Sequence, residues 1–318
     1  MSEVLMEVKH LKKYFNTPKG MLHAVDDVTF SIGKGKTIGV VGESGCGKST
    51  LGRTLIHLYE STDGQILFDR EDITHVTKHK MHELRERMQI IFQDPFSSLN
   101  PRMTVEETIR EPLELCRRFK KNQIQEEAEK IMDMVGIDDR LRYAYPHELD
   151  GGRRQRVGIG RALALNPAFV VCDEPVSALD VSIQAQVLNL LQDLQEKSGV
   201  TYMFVTHDLS VVKHISDNIC VMYLGQLVET TTSKELFANP LHPYTRALLS
   251  AIPSVDIHRK KERVILQGEI VSPVEPKPGC RFAARCPYAT DRCREPQQLR
   301  EIAKDHFVSC GRAEEVWE

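Results

Sequence analysis

The chain has 318 residues with a formal net charge of −3, 41% hydrophobic and 27% charged residues, a composition typical of a globular protein with one large domain or two ordinary ones. The near-neutral charge and 6% aromatic content disfavour a general nucleic-acid binder. No run approaches the roughly 20 apolar residues of a membrane helix, and the N-terminal MSEVLMEVKH lacks the apolar core of a signal peptide. We therefore expect a cytosolic protein whose contact with a membrane requires a partner.

Strand-like and helical segments alternate along the chain, which is typical of an α/β fold. Residues Leu22–Ile32 alternate apolar and polar side chains and predict an antiparallel strand with one solvent-facing side. The continuous apolar run Thr37–Val41 predicts a buried parallel strand, as do Phe169–Cys172 and Tyr202–Val205. Residues Val181–Lys197 have the apolar spacing of a helix.

A glycine-rich motif directly follows the strand predicted at Thr37–Val41. It matches the pattern G-x-x-x-x-G-K-[ST] in full, with the residues Gly42, Glu43, Ser44, Gly45, Cys46, Gly47, Lys48 and Ser49. Glycines let the backbone curl so that several N–H groups face phosphate oxygens, and the following helix adds its positive end. We predict that this loop and Thr50 bind a nucleotide, with Lys48 on the β- and γ-phosphates and Ser49 on Mg²⁺. A glycine-rich turn without a ligand is the competing interpretation.

Two carboxylates end a second apolar strand. The run Phe169–Cys172 is followed by Asp173 and Glu174, then by Pro175 and a long helical segment. Asp173 is predicted to hold Mg²⁺, and Glu174 to polarise or deprotonate the water that attacks the γ-phosphate in line. An acidic pair after a strand is common on protein surfaces. Its place 124 residues after Ser49, before Pro175 and a long helical segment, makes a chance occurrence less expected and favours ATP hydrolysis.

These motifs resemble those of the ATPase subunits of ABC transporters. Four further segments resemble that family and stand in its order, namely Gln93 after Ile90–Phe92, Leu149–Arg156, the turn Ser177–Asp180, and His207. The resemblance implies that Gln93 contacts Mg²⁺ or the attacking water and that His207 contacts the γ-phosphate. It also implies that Tyr14 stacks on adenine, with Phe15 as the alternative.

The same resemblance implies the organisation of the chain. Residues 1–240 are expected to form the ABC ATPase domain, a P-loop NTPase (RecA-like) core with an antiparallel β-subdomain and a helical signature subdomain inserted at about residues 96–155. Residues 241–318 are expected to form a small Cys-rich extension. The segments Phe92–Pro101 and Pro240–Leu249 resemble, more narrowly, the ATPases of dipeptide, oligopeptide and nickel importers.

That narrower resemblance implies the biological role. We expect an energy-coupling ATPase for di- or oligopeptide import, held at the cytoplasmic face of the membrane as a peripheral subunit. Its expected partners are a second, non-identical ATPase subunit, two transmembrane permeases and, indirectly, an extracytoplasmic binding protein, with no nucleic acid. Nickel import and a soluble ABC ATPase without a transport role are the alternatives.

One segment departs from the family pattern. The family signature Leu-Ser-Gly-Gly-Gln has Asp150 here in place of serine and Arg153 in place of glutamine. The resemblance implies that Asp150, Gly151 and Gly152 face the ATP of the partner subunit, where a carboxylate about 4 Å from a phosphate is repelled by roughly 4 kcal/mol at an effective dielectric near 20. Asp is also a good helix N-cap, and both roles are compatible. We therefore expect a heterodimer in which the site containing Asp150 turns over slowly.

Four of the eight cysteines crowd near the C-terminus, at Cys280, Cys286, Cys293 and Cys310. Disulfides are rare in cytosolic proteins, so this cluster predicts a metal site. Structural zinc usually uses more closely spaced cysteine pairs, and the wider loops suit a [4Fe–4S] cluster, which the importer resemblance also implies. Zinc and unligated thiols are the alternatives.

Overall fold

The computed structural model describes residues 3–252, 264, 266, 268 and 272–315. Part of the predicted extension, residues 241–318, therefore lies outside the described residues. The chain divides into two compact units. We call the unit built mainly from residues 75–205 the signature unit, and the unit built from residues 4–32, 37–74 and the described residues from 206 onward the phosphate-loop unit.

The strands, in chain order, are β1 (Val4–Thr17), β2 (Gly20–Gly33), β3 (Thr37–Val41), β4 (Asp63–Phe68), β5 (Glu71–Asp72), β6 (Met88–Ile91), β7 (Phe169–Asp173), β8 (Thr201–Thr206), β9 (Asn218–Tyr223), β10 (Gln226–Thr232), β11 (Arg300–Ala303) and β12 (His306–Val308). The helices are α1 (Lys48–Leu55), α2 (Lys78–Arg87), α3 (Pro95–Ser98), α4 (Val105–Leu115), α5 (Lys121–Met134), α6 (Gly151–Leu163), α7 (Val181–Ser198), α8 (Leu209–Ile215), α9 (Ser233–Ala238) and α10 (Pro243–Ser250). Short 3₁₀ turns cover Asp139–Leu141, Pro146–Glu148, Ala283–Arg285 and Asp291–Arg294.

The phosphate-loop unit contains an antiparallel β-subdomain and a mixed sheet. In the β-subdomain the strand order is β2-β1-β4-β5, and β4 pairs antiparallel with both β1 and β5. In the mixed sheet the order is β11-β12-β10-β9-β3. Strands β3 and β9 run parallel, whereas β10 pairs antiparallel with both β9 and β12.

The signature unit combines parallel strands with a group of helices. Strand β7 pairs parallel with β6 and with β8. Helices α4, α5 and α6 pack on one another. Helices α4 and α5 lie within residues 96–155, which were predicted as the helical insertion, and α3 begins one residue before that range. None of the described helices combines the length and the apolar character needed to cross a bilayer.

Burial explains why these residues form these strands. All five residues of β3 and of β7 are buried, as expected for the inner strands of a parallel sheet. Strand β2 buries Val28, Phe30 and Ile32 and exposes the residues between them, so the antiparallel strand predicted from alternation is confirmed. The helix predicted at Val181–Lys197 is confirmed as α7.

We call residues 241–318, the predicted extension, the tail. The described residues of the tail share a hydrophobic core with the rest of the phosphate-loop unit. Phe282 packs against Tyr223 and Tyr244, with ring centroids 5.3 and 5.4 Å apart, inside a cluster that also contains Val41 at the end of β3. Strand β12 extends the mixed sheet through β10. The sheet therefore continues across residue 240, where a domain boundary was predicted, and that boundary stays a prediction.

A buried polar network reinforces this junction. Glu229 on β10 and His306 on β12 are both almost fully buried, and His306 Nε2 lies 2.7 Å from Glu229 Oε1. The same carboxylate accepts hydrogen bonds from the backbone N–H groups of Leu241 and His242, at 2.7 and 2.9 Å. One buried carboxylate thus joins β10, β12 and the start of α10.

Candidate functional site

The glycine-rich loop connects β3 to α1 through three residues with positive φ. Gly42, Gly45 and Gly47 have φ values of 154, 77 and 106°, which glycine adopts without steric cost. A Cβ at Gly42 would overlap the carbonyl oxygen of Met222, and one at Gly47 would overlap that of Ala24. The loop therefore passes so close to neighbouring backbone that Gly42 and Gly47 are sterically required.

Lys48 places a positive charge inside this loop. Its side chain is buried, and Nζ donates hydrogen bonds to the carbonyl oxygens of Gly42 at 2.9 Å and of Glu43 at 3.1 Å. Since an ammonium has three N–H donors, the same group can also donate to a phosphate. Ser49 and Thr50 follow in the first turn of α1, where backbone N–H groups and the helix dipole favour anions.

Glu43 in the loop is held by the tail. Its backbone N–H donates to the Tyr244 hydroxyl at 2.9 Å. Its carboxylate forms a bidentate ion pair with Arg285, at 2.7 and 3.0 Å. The Arg285 guanidinium also lies over the ring of Tyr223. These contacts fix one end of the loop.

Tyr14 lies in a second polar cluster of the same unit. Its ring stacks on His23, with centroids 3.9 Å apart, and its hydroxyl donates to Asp26, which also pairs with Arg281. Burial and the hydrogen bond to Asp26 raise the pKa of Tyr14. An adenine could therefore stack only on the ring face that His23 leaves uncovered.

The backbone favours Tyr14 over Phe15 as the nucleotide-facing aromatic. The N–H of Asp26 donates to the carbonyl oxygen of Gly225, and the N–H of Gly225 donates to that of Cys46 in the loop, both at 2.8 Å. Tyr14 is thus linked through Asp26 to the phosphate loop, whereas Phe15 packs edge-on against Tyr59.

In the signature unit, Asp173, the predicted Mg²⁺ ligand, ends β7, and Glu174, the predicted catalytic residue, follows it directly. Asp173 is almost fully buried. Glu174 has φ of 49°, in the left-handed region that is rare for such a side chain, and its N–H donates to the carbonyl oxygen of Val205 at 2.9 Å. Gln93 Nε2 donates to Glu174 Oε2 at 2.9 Å. The structure therefore brings together Gln93 and Glu174, which lie 81 residues apart in sequence.

Asp150 caps the signature helix. It is the N-cap of α6, and its carboxylate accepts a hydrogen bond from the N–H of Arg153 at 2.8 Å and pairs with the guanidinium of Arg153 at 3.4 Å. The capping role predicted for Asp150 is confirmed. Gly152 lies so close to Ile183 of α7 that a Cβ would come within 2.7 Å of its Cγ2, and Gly151 faces Leu179. Both glycines are therefore also packing residues.

His207 lies in the phosphate-loop unit, exposed and directly after β8. The next residue, Asp208, caps α8 by accepting a hydrogen bond from the N–H of Ser210 at 2.7 Å. This cap fixes the chain direction immediately after His207. Its predicted contact with the γ-phosphate stays a prediction.

The four tail cysteines are only partly buried. Burial raises the pKa of Cys280 to about 11 and also raises the pKa of Cys286 and Cys310, and the charges of neighbouring cysteines add to each shift. Among the residues that the structure describes, however, no group of three or more His, Cys, Asp or Glu side chains is placed to hold a metal ion. This side-chain arrangement does not by itself form a ligand set.

Comparison with known proteins gives two family matches. Residues 25–177 match the ABC transporter family, and residues 228–293 match the C-terminal region of the oligopeptide/dipeptide transporter family. The chain is 49% identical to the oligopeptide transport ATP-binding protein AppF of Bacillus subtilis, over 97% of both chains. It is also 49% identical to OppF of that species, over 99% of this chain and 98% of OppF, and 50% identical to a putative peptide import ATP-binding protein of Brucella ovis, over 97% and 98%.

Solved structures agree with these matches. The ATP-binding cassette MJ0796, a dimer in a post-hydrolysis state bound to ADP and Pi, aligns with a TM-score of 0.66 and 27% identity over 72% of this chain and 99% of its own. CbiO1 of Clostridium perfringens, part of the transporter complex CbiONQ, aligns with a TM-score of 0.68 and 28% identity over 75% and 92%.

A buried strand that enters a glycine-rich loop and a helix, together with a second buried strand that ends in Asp173 and Glu174, defines a P-loop ATPase. The predicted fold class, a P-loop core with an antiparallel β-subdomain, helical signature region and C-terminal extension, is confirmed. With these matches, the chain belongs to the ABC transporter ATPases, and within them to the ATP-binding subunits of oligopeptide and dipeptide transporters. It is an ATP-hydrolysing enzyme.

Sequence reasoning missed the residues that support the nucleotide loop from a distance. Arg285 and Arg281 lie between Cys280 and Cys286, in a segment that was interpreted from its cysteines as a metal site. No local pattern links an arginine to a carboxylate 242 residues earlier. Tyr244 was noted only within Pro240–Leu249, the segment that resembles peptide importers. That resemblance was the one signal that could have suggested a contact with the phosphate loop.

Proposed function

We propose that this chain hydrolyses ATP to drive the import of di- or oligopeptides, as a peripheral subunit at the cytoplasmic face of a membrane. The support for the cargo is that three relatives at 49–50% identity are named for oligopeptide transport or peptide import. The observation that carries the energy-coupling role is the phosphate loop around the buried Lys48. Membrane permeases are the proposed partners, because relatives of this chain are named as ATP-binding proteins of oligopeptide transport and peptide import.

The proposed chemistry is in-line attack of water on the γ-phosphate. Lys48 binds the β- and γ-phosphates, and Tyr14 stacks on the adenine. The Ser49 hydroxyl and the Asp173 carboxylate are the kind of oxygen donors that Mg²⁺ prefers, and the ion would offset phosphate charge. Glu174 polarises the water or accepts its proton, which is worth about 10²–10⁴-fold in rate for a general base.

Gln93 and His207 complete the proposed catalytic set. The amide of Gln93 donates to Glu174 at 2.9 Å, so it can hold the carboxylate in one orientation and report contact with the membrane subunits. His207 donates to the γ-phosphate. Both roles position groups rather than break bonds, so we expect smaller losses from their removal than from the removal of Glu174.

We further propose that the partner ATPase is a different polypeptide. Asp150 would repel ATP bound to a facing subunit, and its pairing with Arg153 offsets only part of that repulsion because both side chains are more than half exposed. In a homodimer both sites would carry this defect. In a heterodimer, ATP held by this chain faces the partner's signature, and Asp150 with Gly151 and Gly152 faces the other ATP.

The test of asymmetry is Asp150→Ser in the complete transporter. We expect ATP turnover to rise by up to about twofold, as a second site becomes competent. The matched control is Asp138→Ser, because Asp138 likewise caps a turn and pairs with an arginine two residues later, and it should leave turnover unchanged. Purified complexes that contain two copies of this chain and still hydrolyse ATP rapidly would contradict the proposal.

The tail cysteines are proposed to hold a [4Fe–4S] cluster, with zinc as the alternative. The support is their number and their wide spacing along the chain. Anaerobically purified protein should be brown and contain iron and acid-labile sulfide, and replacement of Cys293 by serine should remove both. A colourless protein with zinc would support the alternative, and a metal-free protein would refute both.

The transport role is tested by reconstitution. The chain is co-expressed with candidate permeases, a second ATPase and a binding protein, and peptide uptake into vesicles is measured with ATP on the side of the ATPases. Uptake that depends on ATP and on this chain supports peptide import. Uptake of nickel instead of peptide supports the nickel alternative. Failure to associate with any permease favours a soluble ABC ATPase.

A further inference from the structure

The phosphate loop contains a negative charge at a position where a polyanion is to bind. Glu43 is the first residue after Gly42, and its carbonyl oxygen accepts a hydrogen bond from Lys48 Nζ at 3.1 Å. A free carboxylate in this loop would repel the phosphates and compete for the ammonium of Lys48. The loop therefore needs something that neutralises Glu43 and fixes its direction.

The tail supplies both. Arg285 binds both carboxylate oxygens of Glu43, and its side chain is only 8% exposed, against 25% for Glu43. Solvent therefore screens this pair much less than a surface pair. The Tyr244 hydroxyl accepts the Glu43 N–H. Backbone and side chain of one loop residue are thus fixed by two residues of the tail.

Aromatic neighbours hold the side chain of Arg285 in place. Arg285 also donates to the Tyr223 hydroxyl at 3.4 Å, and Tyr223 packs edge-on against Tyr244 and Phe282. The guanidinium therefore lies against a group of packed aromatic rings. A guanidinium that binds a carboxylate through two N–H groups fixes its plane as well as its position.

We propose that Arg285 is a positioning residue for the phosphate loop, which raises ATP affinity by neutralising Glu43 and holding its carboxylate away from the phosphates. Arg285 touches neither substrate nor reacting atoms and acts through Glu43. The inference rests on the proposed role of Gly42–Ser49 in binding the phosphates. It makes the tail part of the nucleotide site, independent of any metal that the cysteines hold.

The first experiment measures the affinity of the full-length chain for Mg-ATP and Mg-ADP by isothermal titration calorimetry. Arg285→Gln should weaken ATP binding about tenfold, which equals about 1.4 kcal/mol. It should weaken ADP binding less, because ADP carries less negative charge. The matched control is Arg312→Gln, since Arg312 is also a tail arginine next to a cysteine segment and pairs with Glu315 at 3.0 Å. It should leave both affinities unchanged.

The decisive readout is suppression. If the defect comes from an unneutralised carboxylate, Glu43→Gln in the Arg285→Gln background should restore ATP affinity to within about threefold of Glu43→Gln alone, as expected for two residues that act as one unit. Arg285→Lys keeps the charge and should lose much less affinity than Arg285→Gln. If the double variant is as defective as Arg285→Gln, the defect does not come from the carboxylate of Glu43 and the inference is wrong.

Lys48→Ala separates failure of this inference from failure of the proposed site. If Lys48→Ala binds ATP as tightly as the parent, the assignment of Gly42–Ser49 to the phosphates fails. If Lys48→Ala abolishes binding while Arg285→Gln binds ATP normally, the phosphate site stands and only the role of Arg285 is refuted.

Discussion

The buried contact between Glu229 and His306 is predicted to anchor the tail to β10. The perturbation is His306→Asn. His306 is 1% exposed and Glu229 is fully buried, and the carboxylate accepts three hydrogen bonds, from His306 and from the N–H groups of Leu241 and His242. Asparagine is too short to replace the Nε2 contact.

The expected loss in the free energy of unfolding depends on the hydrogen bonds that the Glu229 carboxylate keeps. The two backbone donors stay, but the one side chain that faces Glu229 Oε1 is lost, so the buried carboxylate is left partly unsatisfied. Removal of one partner from a buried pair costs about 3–5 kcal/mol. Because two donors persist, we expect the free energy of unfolding to fall by about 3 kcal/mol, the lower end of that range.

The assay is urea denaturation of the full-length chain, followed by circular dichroism. The matched control is His10→Asn in the same unit, because His10 Nδ1 also lies 2.7 Å from a carboxylate, that of Asp27, but with the two side chains 76% and 56% exposed. Asparagine also tolerates the positive φ of His10. This control should leave the stability unchanged. Equal losses in both variants, or no loss from His306→Asn, would refute the anchoring role.

Two further predictions concern the loop and the start of α10. Gly47→Ala should lower the melting temperature sharply, because the added Cβ would overlap the carbonyl oxygen of Ala24. The control Gly45→Ala has open space around its Cβ, so it should cost only the roughly 1 kcal/mol of a left-handed alanine. Equal shifts of the melting temperature in the two variants would contradict the steric argument. Burial lowers the pKa of His242 to about 4, so between pH 6.5 and pH 4 the unfolded chain binds a proton that the folded chain does not. Stability should therefore fall as the pH falls through that window, by at most about 3 kcal/mol. The His242 side chain is the N-cap of α10 and accepts a hydrogen bond from the N–H of Tyr244 at 3.1 Å, a role that asparagine can also fill. Urea unfolding at several pH values should show that His242→Asn reduces this dependence, and an unchanged pH dependence would show that His242 is not its source.

Local patterns predicted the parts of this protein that are determined over short stretches of chain. The alternation in Leu22–Ile32 identifies a strand because side-chain direction repeats every two residues. The unbroken apolar run Thr37–Val41 identifies a strand that is buried on both faces. The glycine-rich motif identifies the turn into α1, because Gly42 and Gly47 occupy positions where a Cβ would overlap neighbouring backbone. The capping of α6 by Asp150 was also open to prediction, because a cap is a contact between near neighbours.

Long-range partnerships left no such pattern. The ion pair of Glu43 with Arg285 and the hydrogen bond between His306 and Glu229 join residues 242 and 77 positions apart. Each of these residues taken alone is an ordinary charged or polar side chain. Strand β12 has only three residues, too few to show alternation. These features depend on how the tail folds back on β10, which no local spacing encodes.

The central claim is that this chain supplies the residue that activates water for ATP hydrolysis. The most direct measurement is phosphate release by the complete transporter with Glu174→Gln here, compared with the same change in the partner's catalytic glutamate and with the control Glu196→Gln on the exposed side of α7. We expect Glu174→Gln to reduce hydrolysis by at least about 100-fold with ATP still bound, and Glu196→Gln to have no effect. Hydrolysis that survives Glu174→Gln but is abolished by the partner's change would contradict the claim.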